Sequence, residues 1–330
     1  MKDILEKLFN GELLPSETTY DIMKEIGTGN LTNEELASLL TVYRMRPISS
    51  GEFAGFREAL YDLSKKVNLE FENRIDIVGS GGDGKNSFNI STLSCFVVAG
   101  AGYKVSKHGN YAASSISGSS NLLQSLGYVF TDSEDTLNRQ LDKANLCFLH
   151  APLFHPAMKF VAPVRKAMKV KTFFNIIGPT VNPSKPQAYL LGAYSEEVAD
   201  LYSDVMGQAG YDITVVHNID GYDEISLTDR FIRITNSSKD IFSPEEIGFD
   251  LLKQEELYCG DSVDDAKQIF LNVLDRSSTK AQRDVVIVNS AFAIQTLNPE
   301  KSLDECRLEA EESIDRGNAR SILKNLLNNQ

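Results

Sequence analysis

Through residues 1–70 the apolar side chains recur at helical spacing. Leu36, Leu39, Leu40 and Tyr43 fall at i, i+3, i+4 and i+7 behind Thr32-x-x-Glu35. Phe53, Phe56, Leu60 and Leu63 line a second stripe behind Ser49-x-x-Glu52. Each opening is a capping-box pattern, in which a hydroxyl and a carboxylate satisfy amides that a helix start leaves unpaired. A small helical bundle without strands is expected here. From residue 75 the pattern changes to short apolar runs separated by helical stretches. Residues 75–78, 103–106, 147–149, 189–191 and 213–217 predict strands, and 92–101, 119–126 and 196–208 predict helices. The β-branched run 284–288 predicts one more strand, and Ala319, Ile322, Leu323 and Leu326 a closing helix after Gly317. Strands alternating with helices imply a parallel sheet covered on its faces. The expected fold class is α/β: a small N-terminal helical domain, residues 1–70, and a larger α/β domain, residues 71–330, whose central, mostly parallel sheet is flanked by helices. A helical segment near 160–180 is expected to join the first domain.

Composition narrows the functional classes. The 330 residues are 42% hydrophobic and 24% charged, as in an ordinary globular protein. Lys and Arg number 33 against 46 Asp and Glu, a formal charge of −13 that repels polyanions, so no nucleic-acid partner is expected. No apolar run reaches membrane-spanning length, and the start Met1-Lys2-Asp3-Ile4-Leu5-Glu6 does not read as a targeting segment, so no membrane association is expected. Cys95, Cys147, Cys259 and Cys306 form no C-x-x-C pair, which predicts neither a disulfide framework nor a metal cluster and suits a reducing cytoplasm.

Ligands of open α/β sheets bind beyond the carboxyl ends of the strands. The loop after Val78 reads Gly79-Ser80-Gly81-Gly82-Asp83-Gly84. Four glycines let the backbone approach a phosphate and aim amides at it, although a tight strand-exit turn needs the same residues. Gly79-x-Gly81-x-x-Gly84 fits a dinucleotide fingerprint in spacing, but Lys104 and Lys107 stand where an acid is required. Gly79-x4-Gly84-Lys85 also begins a P-loop, but Asn86 stands in place of its metal-binding hydroxyl. A helix start near Asn89-Ile90-Ser91-Thr92, capped by Ser91 or Thr92, offers a second anion site. The two together point to a ligand with separated phosphate groups. Lys107-His108-Gly109-Asn110-Tyr111-Ala112-Ala113-Ser114-Ser115 and Ser117-Gly118-Ser119-Ser120 read as a polar loop with one cation and several hydroxyls.

In this order the glycine loop, Asn-x-Ser-Thr, Lys-His-Gly-Asn and Ser-Gly-Ser resemble the anthranilate phosphoribosyltransferase family. The likeness continues through His155-Pro156-Ala157-Met158-Lys159, Pro163-Val164-Arg165, the stretch from Thr172 to Pro183, and Asp220-Gly221-x-Asp223-Glu224-Ile225-Ser226. It implies transfer of phosphoribose from 5-phosphoribosyl 1-pyrophosphate to the amine of anthranilate in tryptophan synthesis, with Mg²⁺ as cofactor and a homodimer formed through the helical domain. Carried over residue by residue, it assigns Gly79, Gly82, Asp83, Ser87, Asn89, Ile90, Ser91, Thr92, Lys107, Ser115 and Ser119 to phosphoribosyl pyrophosphate. Gly79, Asn110 and Arg165 would meet anthranilate, with His108 and His155 near its route in, and Ser91, Asp223 and Glu224 would hold the metal.

Five departures stand out. Tyr111 occupies a position where the family usually has Arg, Ser80 replaces a usual Thr, Lys171 replaces an Arg, and Asn121 and Gln124 replace acids. A pyrimidine nucleoside phosphorylase shares the two-part plan and the glycine loop but lacks the Asn-Pro and Asp-Glu loops. A non-catalytic binding relative is the remaining alternative.

Overall fold

A computed structural model describes residues 1–112 and 115–330. Ala113 and Ser114 of the polar loop lie outside the described residues. The chain divides into two compact units, one of Met1–Lys66 with Pro152–Pro183 and one of Val67–Ala151 with Ser184–Gln330.

In the first unit the helices Lys2–Phe9, Ser16–Thr28, Asn33–Met45, Ser50–Asp62 and Met158–Met168 form a bundle. Both capping boxes close: the Glu35 amide donates to Thr32 Oγ1 at 3.2 Å and the Glu52 amide to Ser49 Oγ at 3.2 Å. Glu52 is fully buried and does more than cap. It accepts from Arg46 at 2.6 and 2.9 Å, from the Leu14 amide at 3.0 Å and from the Tyr43 hydroxyl at 3.2 Å. Burial pushes its carboxyl up, but the bonds from Arg46 and from the Leu14 and Ser49 amides outweigh that and hold it low. The later segment is tied in by Arg57 Nε donating to Thr180 O at 2.9 Å and by Phe56 stacking on Phe173 at 4.6 Å.

The second unit carries one sheet: β1 (Arg74–Gly79), β2 (Lys104–Gly109), β3 (Leu146–His150), β4 (Ala188–Gly192), β5 (Asp212–Asn218), β6 (Phe231–Thr235) and β7 (Lys239–Phe242). Their order is β3-β2-β1-β4-β5-β6-β7, with β1 to β5 parallel and the last two antiparallel. The sheet is mostly parallel, as expected. The β6–β7 hairpin was not anticipated; its cross-strand pair Arg233–Asp240, at 2.6 Å, sits on short strands flanking an Asn-Ser-Ser turn. Growth of the sheet reverses between β1 and β4, and the site lies at their carboxyl ends.

Three local expectations are corrected. Residues 284–288 are not a strand but part of the helix Lys280–Leu297, whose positions 284 to 294 are all buried against the helix Ile90–Gly100 and the sheet. A helix buried on every side has no amphipathic period, so its β-branched residues mimic a core strand. Lys107, His108 and Gly109 belong to β2 rather than to a loop. Lys107 Nζ donates to Ile77 O at 2.6 Å and the His108 amide to Asp76 Oδ1 at 3.2 Å. The helix after Asn89 begins at Ile90, with Asn89 as its cap residue and no side-chain cap bond. Neither Ser91 nor Thr92 caps it, because both lie inside its first turn; the Ser91 amide donates to a carboxylate distant in sequence. No helix among the described residues is long and apolar enough to cross a membrane.

Candidate active site

β1 and β4 end side by side with Gly79 opposite Gly192, and Asp223 is seated against both. A methyl group on Gly79 would come within 2.5 Å of Asp223 Oδ2, and one on Gly192 would overlap the Asp223 carbonyl oxygen. These glycines therefore make room for the acidic loop, a demand that the linear sequence does not announce. Asp223 Oδ2 accepts from the Gly81 amide at 2.5 Å and from Ser80 Oγ at 3.3 Å, while Glu224 Oε1 accepts from the Ser91 amide at 3.0 Å. Gly81 and Gly82 adopt left-handed φ of 70° and 78°, which turns the loop back over the carboxylate.

Both backbone anion sites that the sequence offers to phosphates are thus facing the chain's own acids. Burial, followed by the charge of Asp83, pushes the Asp223 carboxyl up to about 7. Burial, then Asp223, pushes Glu224 well above the carboxylate range. Glu224 Oε2 and Asn89 Oδ1 are buried without a hydrogen-bond partner among the described residues. Among the described residues there is no group of three or more His, Cys, Asp or Glu able to hold a metal by themselves. The donor set fits Mg²⁺ in its usual setting, where one or two carboxylates share the ion with substrate phosphates. A closed protein cage is not what these residues make.

The α/β unit brings together Gly79, Gly82, Asp83, Asn89, Ile90, Ser91, Lys107, Asp223 and Glu224. The charge of Asp83 raises both acids, and that of Lys107 lowers Glu224. Ile90 and Thr92 are buried in the first helical turn. Ser87 pairs with Tyr258 in an isolated bridge. Asn89 Nδ2 donates to Ser117 O at 3.0 Å, and Ser119 Oγ to Asn110 O at 3.3 Å, which ties the Asn110 loop to the glycine loop's helix. Ser115 is exposed. His108 is buried on β2.

The other two expected residues belong to the helical unit. Arg165, half-buried on the helix Met158–Met168, makes no ion pair among the described residues, and burial lowers its pKa. His155 is buried, and burial pushes it down to about 4, so it is neutral at pH 7. The sequence reading assigns no role of their own to Ser80, Gly192 and Asp220, although Ser80 and Asp220 stand within its glycine and acidic motifs. Asp220 accepts from Asn218, Thr228 and Gln254 at 2.7, 2.7 and 3.0 Å and braces the acidic loop. Gly192 lies outside those motifs, and its one signal is a strand that closes on glycine as that of Gly79 does.

Tyr111 has its own setting. Its ring packs edge-on against His150 at 5.0 Å, and its hydroxyl donates to Gln124 Oε1 at 3.3 Å. Asn121 Oδ1 accepts from the Ala112 and Gly118 amides at 2.9 and 3.1 Å. Three of the departures from the family pattern, at 111, 121 and 124, therefore lie around one loop base.

A helical bundle domain and an a/b domain, here with a mostly parallel sheet, are the two parts of a glycosyl transferase family. Residues 72–320 match the model of its a/b domain and residues 2–64 that of its helical bundle domain. Anthranilate phosphoribosyltransferases of Phocaeicola vulgatus and Bacteroides thetaiotaomicron are 48% and 46% identical over 324 and 327 residues, covering 98% and 99% of this chain and 98% of each relative. Among solved structures, the anthranilate phosphoribosyltransferase of Thermus thermophilus superposes with a TM-score of 0.92 at 30% identity, with 98% of each chain covered. The Saccharomyces cerevisiae enzyme in complex with PRPP and Mg gives 0.91 at 26%, covering 98% of this chain and 96% of that one. The chain belongs to this glycosyl transferase family and, within it, to the anthranilate phosphoribosyltransferases.

Proposed function

We propose that the chain transfers the phosphoribosyl group of 5-phosphoribosyl 1-pyrophosphate to the amine of anthranilate, giving N-(5-phosphoribosyl)anthranilate and pyrophosphate, a step of tryptophan biosynthesis. It is a pentosyltransferase, as its relatives are. One observation carries the reading at the level of chemistry. Two acids, Asp223 buried and Glu224 partly buried, stand on the same amides, Gly81 and Ser91, that would otherwise meet phosphate oxygens. Once ionised, such a pair repels a polyanion, and a divalent cation both displaces its protons and offsets that repulsion. Asp223 and Glu224, with Ser91 beside them, would hold Mg²⁺, which when bound neutralises the leaving pyrophosphate.

In this reading the glycine loop, Asn89 to Thr92, Lys107, Ser115 and Ser119 hold the sugar phosphate and pyrophosphate. Lys107, its ammonium on Ile77 O, adds a fixed positive charge beneath the site. Asn110 and Arg165 receive anthranilate, the guanidinium binding its carboxylate through paired hydrogen bonds. An aromatic amine is neutral and nucleophilic at pH 7, so no general base is assigned; positioning and electrostatics do the work. Displacement at C1 of the ribose is dissociative, without a covalent enzyme intermediate. Rapid quenching and mass spectrometry of the protein during turnover would show no added mass, and a ribosylated species would refute the mechanism.

The same reading keeps a domain boundary near residue 70, joins residues 160–180 to the helical domain, and pairs two chains through that domain. The exposed Phe9, Leu13 and Met45 support such pairing. Sedimentation showing only a 36.5 kDa species would contradict it. A cytoplasmic setting suits four free, buried cysteines. The direct test is pyrophosphate release from PRPP, expected to need both anthranilate and Mg²⁺; release that needs neither would overturn the assignment.

A further inference from the structure

Asn289 lies in the middle of the buried stretch 284–294 of the helix Lys280–Leu297 and is 3% exposed. An amide there is an expensive choice, since asparagine is a weak helix former and a buried polar group costs free energy unless it is paired. Its partners are Ile225 of the acidic loop and one carbonyl of its own helix. Asn289 Oδ1 accepts from the Ile225 amide at 3.1 Å, and Nδ2 donates to Ile225 O at 2.8 Å and to Val285 O at 2.8 Å. One side chain thus satisfies both backbone groups of Ile225, as a neighbouring strand would, and Ile225 directly follows Glu224. Buried backbone groups must find partners, so the loop cannot settle elsewhere without losing these bonds. The adjacent Ser290 is a contrast: its hydroxyl donates to Val286 O at 2.7 Å, within its own helix.

We infer that Asn289 is a positioning residue for the acidic pair: by gripping Ile225 at both backbone groups it fixes where Asp223 and Glu224 stand against the amides of Gly81 and Ser91. The buried helix that reads as a strand in the sequence is thereby the support on which the metal-binding loop is registered. This inference rests on the proposed role of the pair in holding Mg²⁺ with the substrate's phosphates. Groups that orient metal ligands from behind typically cost about 10–100-fold in metal affinity when removed.

The test compares Asn289→Ala, Asn289→Asp and Ser290→Ala in the full chain. Calorimetric binding of PRPP with Mg²⁺, and the Mg²⁺ concentration for half-maximal turnover, should both shift by about 10-fold or more in Asn289→Ala. The KM for anthranilate should stay within about twofold of wild type, because metal-ligand support acts on metal affinity. Asn289→Asp should be worse than alanine, since a carboxylate would face two carbonyl oxygens. Ser290→Ala loses one buried bond in the same helical turn, so its melting temperature should fall while its Mg²⁺ dependence stays that of wild type. Hydrogen exchange on the wild-type protein provides a readout free of any variant, with the Ile225 amide expected among the slowest of residues 219–228. A folded Asn289→Ala that titrates with Mg²⁺ as wild type does, or an Ile225 amide that exchanges as fast as the loop's exposed amides, overturns the inference. If wild type itself fails to bind PRPP with Mg²⁺, the functional reading falls and takes this role with it; normal wild-type binding beside an indifferent variant removes the positioning role alone.

Discussion

Adding one methyl group at Gly192 should disable the enzyme without unfolding it. Gly192 ends β4 and has no left-handed φ, so its need is for space rather than for conformation. A Cβ there would overlap the Asp223 carbonyl oxygen and lie 2.6 Å from Asp223 C and 3.3 Å from Gly79 Cα. All three are backbone atoms, so no side-chain rotation relieves the contact. Non-bonded carbon and oxygen keep about 3.3 Å apart, so to clear the overlapping carbonyl oxygen Asp223 must withdraw by roughly 1.5 Å, taking its carboxylate and Glu224 with it. Overpacking of this kind costs about 1–3 kcal/mol, and a misplacement of about 1 Å near the reacting groups costs about 100-fold in rate. Initial rates of pyrophosphate release at saturating Mg²⁺, measured beside a thermal melt, should show Gly192→Ala folded, lower by about 2–4 °C per kcal/mol, and slower by about 100-fold. Gly51→Ala serves as control: the new methyl meets no atom within 4 Å on the helix Ser50–Asp62, so activity should be unchanged. A Gly192→Ala enzyme working within about threefold of wild type would refute the reasoning, because an ångström-scale shift at the site should cost far more.

Replacing both acids, Asp223→Asn with Glu224→Gln, should lower Mg²⁺-dependent turnover by orders of magnitude while leaving the fold intact, as circular dichroism and melting would check; unchanged Mg²⁺ dependence would remove the metal assignment. Glu52→Gln should destabilise the helical unit by about 3 kcal/mol, since it leaves the Arg46 guanidinium without its buried partner, and urea unfolding followed by helicity measures this. The pH dependence of stability should show two signs. Asp223, pushed up to about 7, keeps its proton in the folded metal-free protein after the unfolded chain has lost it, so stability falls as pH rises from about 4 toward 7. Glu52, held low, contributes stability that is present above about 4.5 and lost as pH falls through its folded value. Unfolding series from pH 3 to 8 should show both slopes in wild type, a shallower fall in Asp223→Asn, where Glu224 still contributes, and no acid-side loss from this group in Glu52→Gln; the full wild-type fall surviving in Asp223→Asn would contradict the assignment.

Much of this architecture is legible in the sequence where local pattern and tertiary environment agree. The capping boxes at Thr32 and Ser49, the strand at 75–78 and the helix Glu196–Gln208 all announce themselves, because amphipathic or short buried periods survive in the finished fold. The helix Lys280–Leu297 does not, since burial on all sides erases its period and leaves β-branched composition as the loudest signal. Lys107 and His108 read as loop because polar residues seldom line a buried strand unless partners are waiting, as Ile77 O and Asp76 are here. At the site, the acidic pair and the glycine loop were visible as motifs. That Gly79 and Gly192 face each other, and that both are cut away for Asp223, depends on the pairing of β1 with β4 across more than a hundred residues, which no local window holds.

The most direct test of the central claim is the loss of anthranilate fluorescence on mixing the enzyme with phosphoribosyl pyrophosphate and Mg²⁺, run beside a metal-free reaction and one containing uridine and phosphate. The account predicts loss of fluorescence only when enzyme, phosphoribosyl pyrophosphate and Mg²⁺ are all present, with uridine left whole. Fluorescence that persists while uridine is cleaved would place the chain's activity with the nucleoside phosphorylases and contradict the account.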